Sequence, residues 1–170
     1  MKKLHLLKTL IDLFFFFAIL SMAAMIVMIP IVLFVPDMDV PIKVKGVDIS
    51  TMDSGAKFML VFAAAGALCF VYAVYCLRKT IVRFNERKIF HPEVVVNLSR
   101  TGTYVIAASL LTNIPLFFYN VIYTNQASID FGASGFDSLI LSVCLGLFFI
   151  VLSEVFKMAI HMKEENELTV

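Results

Sequence analysis

Residues 57–79 read KFMLVFAAAGALCFVYAVYCLRK. From Phe58 to Leu77 the stretch carries no charge, and it ends on the adjacent cations Arg78 and Lys79. About 20 apolar residues in helical form cross the hydrocarbon core of a bilayer. Lipid offers unpaired backbone groups no hydrogen-bond partner, so a run of this kind is expected to be helical throughout. The stretch therefore predicts a membrane span, and the basic residues at its end begin to fix its direction.

Three more runs of the same kind lie on either side of it. Leu10 to Val35 is broken only by Asp12 and Pro30, Thr103 to Tyr123 contains Pro115, and Leu139 to Phe156 contains Glu154. The composition agrees: 61% of the 170 residues are hydrophobic and 16% charged, against about a quarter charged in soluble domains. Lys2, Lys3 and Lys8 precede the first run as they would in a signal peptide, but a cleavable apolar segment is about 7–15 residues long. The first run is longer than that and reads as an uncleaved anchor. The expected fold is an all-α, four-transmembrane-helix bundle forming one domain over residues 1–170, with spans near 10–35, 57–77, 103–123 and 139–156.

Orientation follows from the fourteen Lys and Arg residues. Lys2, Lys3, Lys8, Arg78, Lys79, Arg83, Arg87, Lys88, Arg100, Lys157 and Lys163 fall on one side, and only Lys43, Lys45 and Lys57 on the other. Basic residues favour the cytoplasmic face, so both termini are expected in the cytoplasm of a bacterial inner-membrane protein. Tyr72, Tyr75 and Tyr104 would then sit at the inner interface, with Tyr119 and Tyr123 at the outer one.

Outside the bilayer, Ile42, Val44, Val47 and Ile49 alternate with other residues across Gly46, the period of a strand with a bulge or turn. A shorter alternation at 127–132 suggests a small two-stranded outer cap with one strand from each outer loop. The acids Asp37, Asp39, Asp48, Asp53, Asp130 and Asp137 lack a calcium-loop spacing and read as solvated surface. On the inner side, residues 78–102 predict a basic helical hairpin. Leu77, Ile81 and Phe84 form an apolar stripe. His91-Pro92-Glu93 opens the second helix, with proline in the first helical position and an acid at the positive end of the dipole.

The sequence from Arg87 through Ile89-Phe90-His91-Pro92-Glu93, then Asn97-Leu98-Ser99-Arg100-Thr101-Gly102, together with Leu152-Ser153-Glu154 and the tail Glu164 to Val170, resembles a bacterial domain-of-unknown-function family. Its members are small four-helix membrane proteins ending in an acidic Glu-Leu-Thr-Val or Glu-Leu-Thr-Ile tail. Ile89 departs from the small residue or proline usual before the phenylalanine. The resemblance implies no established activity. It does imply proximity to small helix-turn-helix regulators, and so a regulatory or sensory role.

No catalytic, cofactor or metal constellation stands out. Phosphate-loop and nucleophile-elbow motifs are missing, and His161 with Glu164 is a single helical pair rather than a metal site. Cys69, Cys76 and Cys144 lie in apolar runs and suggest no disulfide framework. The intramembrane polar candidates are Asp12, Asn113, Asn120 and Glu154, expected to act by pairing or as hydrogen-bonded links between helices. Glu154 is spaced to pair with Lys157. Ala63-x-x-x-Ala67 and Ser142-x-x-x-Gly146 predict close helix approach.

The basic residues Arg78, Lys79, Arg83, Arg87, Lys88 and Arg100 are the candidate lipid- or partner-binding set, with Glu164, Glu165 and Glu167 of the tail expected to dock on them. The preferred expectation is a non-enzymatic regulatory or interaction protein. Its partners would be membrane lipids and a small cytoplasmic helix-turn-helix regulator, without direct nucleic-acid binding. The alternative is a subunit of a solute or ion transporter or channel, with homo-oligomerisation open.

Overall fold

The computed structural model describes residues 2–34, 43–44, 47–48, 54–86, 89–123 and 136–168. Four long helices dominate: α1 (Lys2–Phe34), α2 (Ser54–Asn85), α3 (Pro92–Tyr123) and α4 (Phe136–Leu168). All four are long and apolar enough to cross a membrane, so the four-span expectation holds and the chain is a multi-pass membrane protein. Two strands, β1 (Lys43–Val44) and β2 (Val47–Asp48), pair antiparallel, with Lys43 opposite Asp48.

The strands differ from the expected cap. Both come from the segment between α1 and α2 and pair locally, which closes a far shorter loop than joining two separate segments would. Four paired residues are too few to cap a bundle. The alternating segment 127–132 lies outside the described residues.

Each helix is 32 or 33 residues long, hence about 48–50 Å, while the hydrocarbon core is about 30 Å thick. The excess is not shared equally between the two ends. At the end away from the basic residues, the helices stop within a few residues of the apolar runs. At the basic end α1 and α2 overshoot by about two turns, and α3 and α4 by about three. Among the described residues the bundle thus carries a helical head on one side only.

α2 packs on α3, α3 on α4, and α1 along α2, which makes α3 a central helix. Its contact with α4 is a backbone crossing. A Cβ built on Gly102 would run into the carbonyl oxygen of Gly146, and one on Gly146 would lie 2.8 Å from the carbonyl oxygen of Gly102. Only a residue without a side chain fits at either position. Ser142-x-x-x-Gly146 is therefore half right, with Gly146 at the crossing.

On α2 the tight position is Gly66, where an added Cβ would meet the Thr112 hydroxyl and come within 3.1 Å of the Ala108 carbonyl oxygen. Ala63 and Ala67 instead line a neighbouring groove. Small residues reveal a face prone to close approach, but a two-point spacing does not say which of them meets the partner backbone.

The head has its own core. Ile81, Val94 and Leu98 are buried, and Phe84 of α2 packs on Phe156 of α4 with ring centroids 5.7 Å apart. The apolar stripe expected from Leu77, Ile81 and Phe84 thus faces inward.

Replacing Gly102 with alanine is expected to destabilise the protein by about 1–3 kcal/mol, the usual cost of overpacking. Leu141→Ala on an exposed face of α4 should change little. Thermal unfolding in mild detergent compares the two. Equal stability for Gly102→Ala and wild type would refute the close crossing.

Candidate functional site

The turn at the head begins with the end of α2, where the Glu86 N–H donates to the Val82 carbonyl (3.1 Å). The first residues of α3 then lack intrahelical acceptors for their N–H groups. Pro92 has no N–H to satisfy. His91 caps the next two: its Nδ1 accepts from the Glu93 N–H (3.3 Å) and its carbonyl from the Val94 N–H (2.9 Å). The start read from His91-Pro92-Glu93 is the start observed.

Arg83 clasps this turn. Its Nη2 and Nε both donate to Glu93 Oε2 (2.7 and 3.0 Å), and its Nη1 donates to Glu86 Oε2 (3.2 Å). The hydrogen bonds from Arg83 hold the Glu93 carboxyl below the usual carboxylate range, with the positive field of Arg83 adding to them. The same bonds, first from Glu93 and then from Glu86, raise the Arg83 guanidinium above its ordinary value. Both groups lie beyond the apolar runs, where solvent limits the strength of the pair. Its effect is geometric: it fixes the end of α2 against the start of α3.

Arg78 is also engaged inside the protein. Its Nε donates to Asp12 Oδ1 (2.5 Å), tying α2 to α1. Its guanidinium carbon stands 5.3 Å from the Phe15 ring centroid. Phe14 against Phe70 and Phe15 against Tyr75 continue the α1–α2 seam, with centroids 6.3 and 6.0 Å apart. Asp12 is thus paired, as one of the two roles expected of it. Glu154 pairs with Lys157 at 3.7 Å, as its spacing suggested.

The tail also has its own arrangement. α4 continues as a helix to Leu168, and Lys163 Nζ stands 5.9 Å from the Phe90 ring centroid at the turn. His161 faces Glu165 (3.5 Å), at i+4 and one residue beyond Glu164. Arg83 is taken by Glu86 and Glu93 rather than by tail carboxylates. Lys163 and Phe90 bring tail and turn into contact. Arg87 and Lys88, and the side chains of Asn120 and Glu167, lie outside the described residues.

A buried polar layer escaped the sequence reading. Thr80, Asn97, Thr101 and Ser153 are nearly inaccessible where the head meets the bundle. Thr80 donates to the Cys76 carbonyl (3.1 Å), Thr101 to that of Asn97 (2.8 Å), and Ser153 of α4 across to the Val95 carbonyl of α3 (2.9 Å). Asn97 Nδ2 has no acceptor among the described residues. The i,i+4 pairs Cys76/Thr80 and Asn97/Thr101 were the available signal, but hydroxyls that bond their own helix look alike in sequence whether buried or exposed.

Within the bundle, a groove of about 330 Å³ is lined by residues of all four helices, including Met25, Gly66, Ser109, Thr112, Asn113 and Ser142. Asn113 Nδ2 donates to the Ser109 carbonyl (2.7 Å) and hydroxyl (3.2 Å) on its own helix, so these bonds stay within α3. Among the described residues no three His, Cys, Asp or Glu side chains gather as a metal site would require.

Residues 16–170 match the family described as "Protein of unknown function (DUF2975)", and the chain belongs to it. No curated protein and no solved structure matches the chain.

The Arg83–Glu93 contact predicts an acid-sensitive contribution to stability. A carboxylate whose native pKa is depressed stabilises fully above its unfolded value, about 4.3 for glutamate, and that gain is lost as pH falls through the native value. The stability difference between wild type and Glu93→Gln, read by thermal unfolding in detergent, should be present at pH 7 and close as pH falls below about 4. A difference that failed to narrow on acidification would show that the contact does not depend on charge.

Proposed function

We propose that this DUF2975 member is a non-enzymatic interaction protein whose head lies in the cytoplasm and presents a fixed docking tip to a regulatory partner. The carrying observation is the exposure of Ile89 (40%) and Phe90 (49%) at the turn between α2 and α3, beyond the apolar runs. An apolar pair held out at a turn beyond the lipid-facing runs offers a contact surface. Here it stands on a hairpin clasped by Arg83 and Glu93, with Lys163 of the tail beside the Phe90 ring. A preformed surface of this kind spares a partner the entropic cost of ordering it.

The positive-inside bias supports the cytoplasmic placement of the head and both termini. The partner class follows from the family resemblance and is a small helix-turn-helix regulator. Lysine and arginine around an apolar tip suit an acidic, partly apolar patch on such a protein.

Tagged full-length protein purified from native membranes in mild detergent should retain that regulator, and Phe90→Asp should lose it by about tenfold or more, the scale of an anchor residue. Undiminished retention by Phe90→Asp would rule out the tip.

The groove favours a second reading, a subunit for solute passage, because Ser109, Thr112, Asn113 and Ser142 bring polar groups into an otherwise apolar lining. It predicts solute flux in proteoliposomes that falls on Asn113→Leu. Flux indistinguishable between the two proteins would exclude a path past Asn113.

A further inference from the structure

The cations of the head divide into two sets. Arg78 is neutralised by Asp12 and Arg83 by Glu86 and Glu93. Lys79 and Arg100 make no ion pair or hydrogen bond among the described residues, and both are exposed.

Helical geometry brings these two together. Tyr72 and Tyr104 touch across the α2–α3 seam, with ring centroids 4.6 Å apart. Lys79 lies two turns beyond Tyr72 on nearly the same strip of α2, and Arg100 one turn before Tyr104 on α3. Because the helices run antiparallel, both steps lead toward the head. Both cations also fall within electrostatic reach of Cys76, which sits between them at the seam.

The face lies where a lipid headgroup would. Tyrosine favours the membrane interface, and Lys79 and Arg100 come just past the ends of the apolar runs. Leu68, one turn below Tyr72, is half exposed and continues the strip into the hydrocarbon. A buried donor without an acceptor lies on the same strip. Asn97 falls between Arg100 and the seam, is 5% exposed, and its Nδ2 has no acceptor. Glu93, the carboxylate further out on this strip of α3, is bonded by Arg83 and lies within electrostatic reach of Lys79 without pairing with it. Two cations without a bonded carboxylate and an amide donor without an acceptor suit an anion.

We propose that Lys79 and Arg100, above the Tyr72–Tyr104 pair, form a binding site for the phosphodiester headgroup of an anionic phospholipid whose chain lies along α2 past Leu68. The site is separate from the docking tip and does not depend on the regulatory reading.

The chain contains no tryptophan, so Leu68→Trp supplies a single fluorescent reporter at the chain's expected position. Full-length Leu68→Trp protein is reconstituted in phosphatidylcholine vesicles containing a fixed share of acyl-brominated phosphatidylglycerol or acyl-brominated phosphatidylcholine. The brominated phosphatidylglycerol should associate at the reporter at least about fivefold more strongly, the scale expected of one interfacial cation. Adding Lys79→Gln and Arg100→Gln should bring that preference to unity while quenching by brominated phosphatidylcholine stays unchanged, which shows the reporter still faces lipid. Lys157→Gln should keep the preference. Equal quenching by the two lipids, or a preference that survives the double substitution, would overturn the site. Displacement by soluble glycerol phosphate would also overturn it, because the ligand would then be a free phosphate. Regulator retention by the double variant reports on the tip alone, so the two ideas fail separately.

Discussion

A peptide group inside a bilayer has no water to bond, and in this protein that constraint acts over the whole width of the membrane. Each crossing is one uninterrupted helix, and even Pro30 and Pro115 sit inside α1 and α3 rather than ending them. Once a helix has entered lipid it cannot stop there without exposing its last carbonyls. It can stop freely outside, and the four helices do so asymmetrically. The head is the part of the fold that the membrane does not require, so its shape reflects other demands.

Side-chain chemistry within the head follows from position around α2. Arg78 and Lys79 are neighbours in sequence, yet a rotation of about 100° per residue sends them to different surroundings. Arg78 reaches α1 and Asp12, whereas Lys79 remains on the open face beside α3. Arg83 turns to the start of α3 and closes the hairpin. A cluster that looks uniformly basic in one dimension is therefore part scaffold and part free charge. The same division applies on α3, where Thr101 and Gly102 face α2 and α4 respectively while Arg100 stays exposed.

Features that depend on local sequence were legible before the structure. The four apolar runs, the start of α3 at Pro92 and the Glu154–Lys157 pair each need only a short window. Features that depend on which helices adjoin were not. Asp12 and Arg78 are 66 residues apart, and each alone reads as an interfacial charge. Glu93 looked like a helix-start acid, which it is, but its second role as the partner of Arg83 needed the hairpin to close. Opposite charges on one side of a membrane invite pairing between the tail and the basic hairpin, but for Arg83 the partners are the nearer Glu93 and Glu86. The layer of Thr80, Asn97, Thr101 and Ser153 was invisible because hydropathy carries no record of what a hydroxyl bonds.

The Asp12–Arg78 pair also bears on how the protein is built. Synthesis runs from the N-terminus, so α1 exists before residue 78 has been made. During that interval Asp12 has no guanidinium to meet, and its charge is best kept in water beside Lys8 at the membrane surface. The Asp12–Arg78 tie between α1 and α2 therefore cannot form until the end of the second crossing has been made.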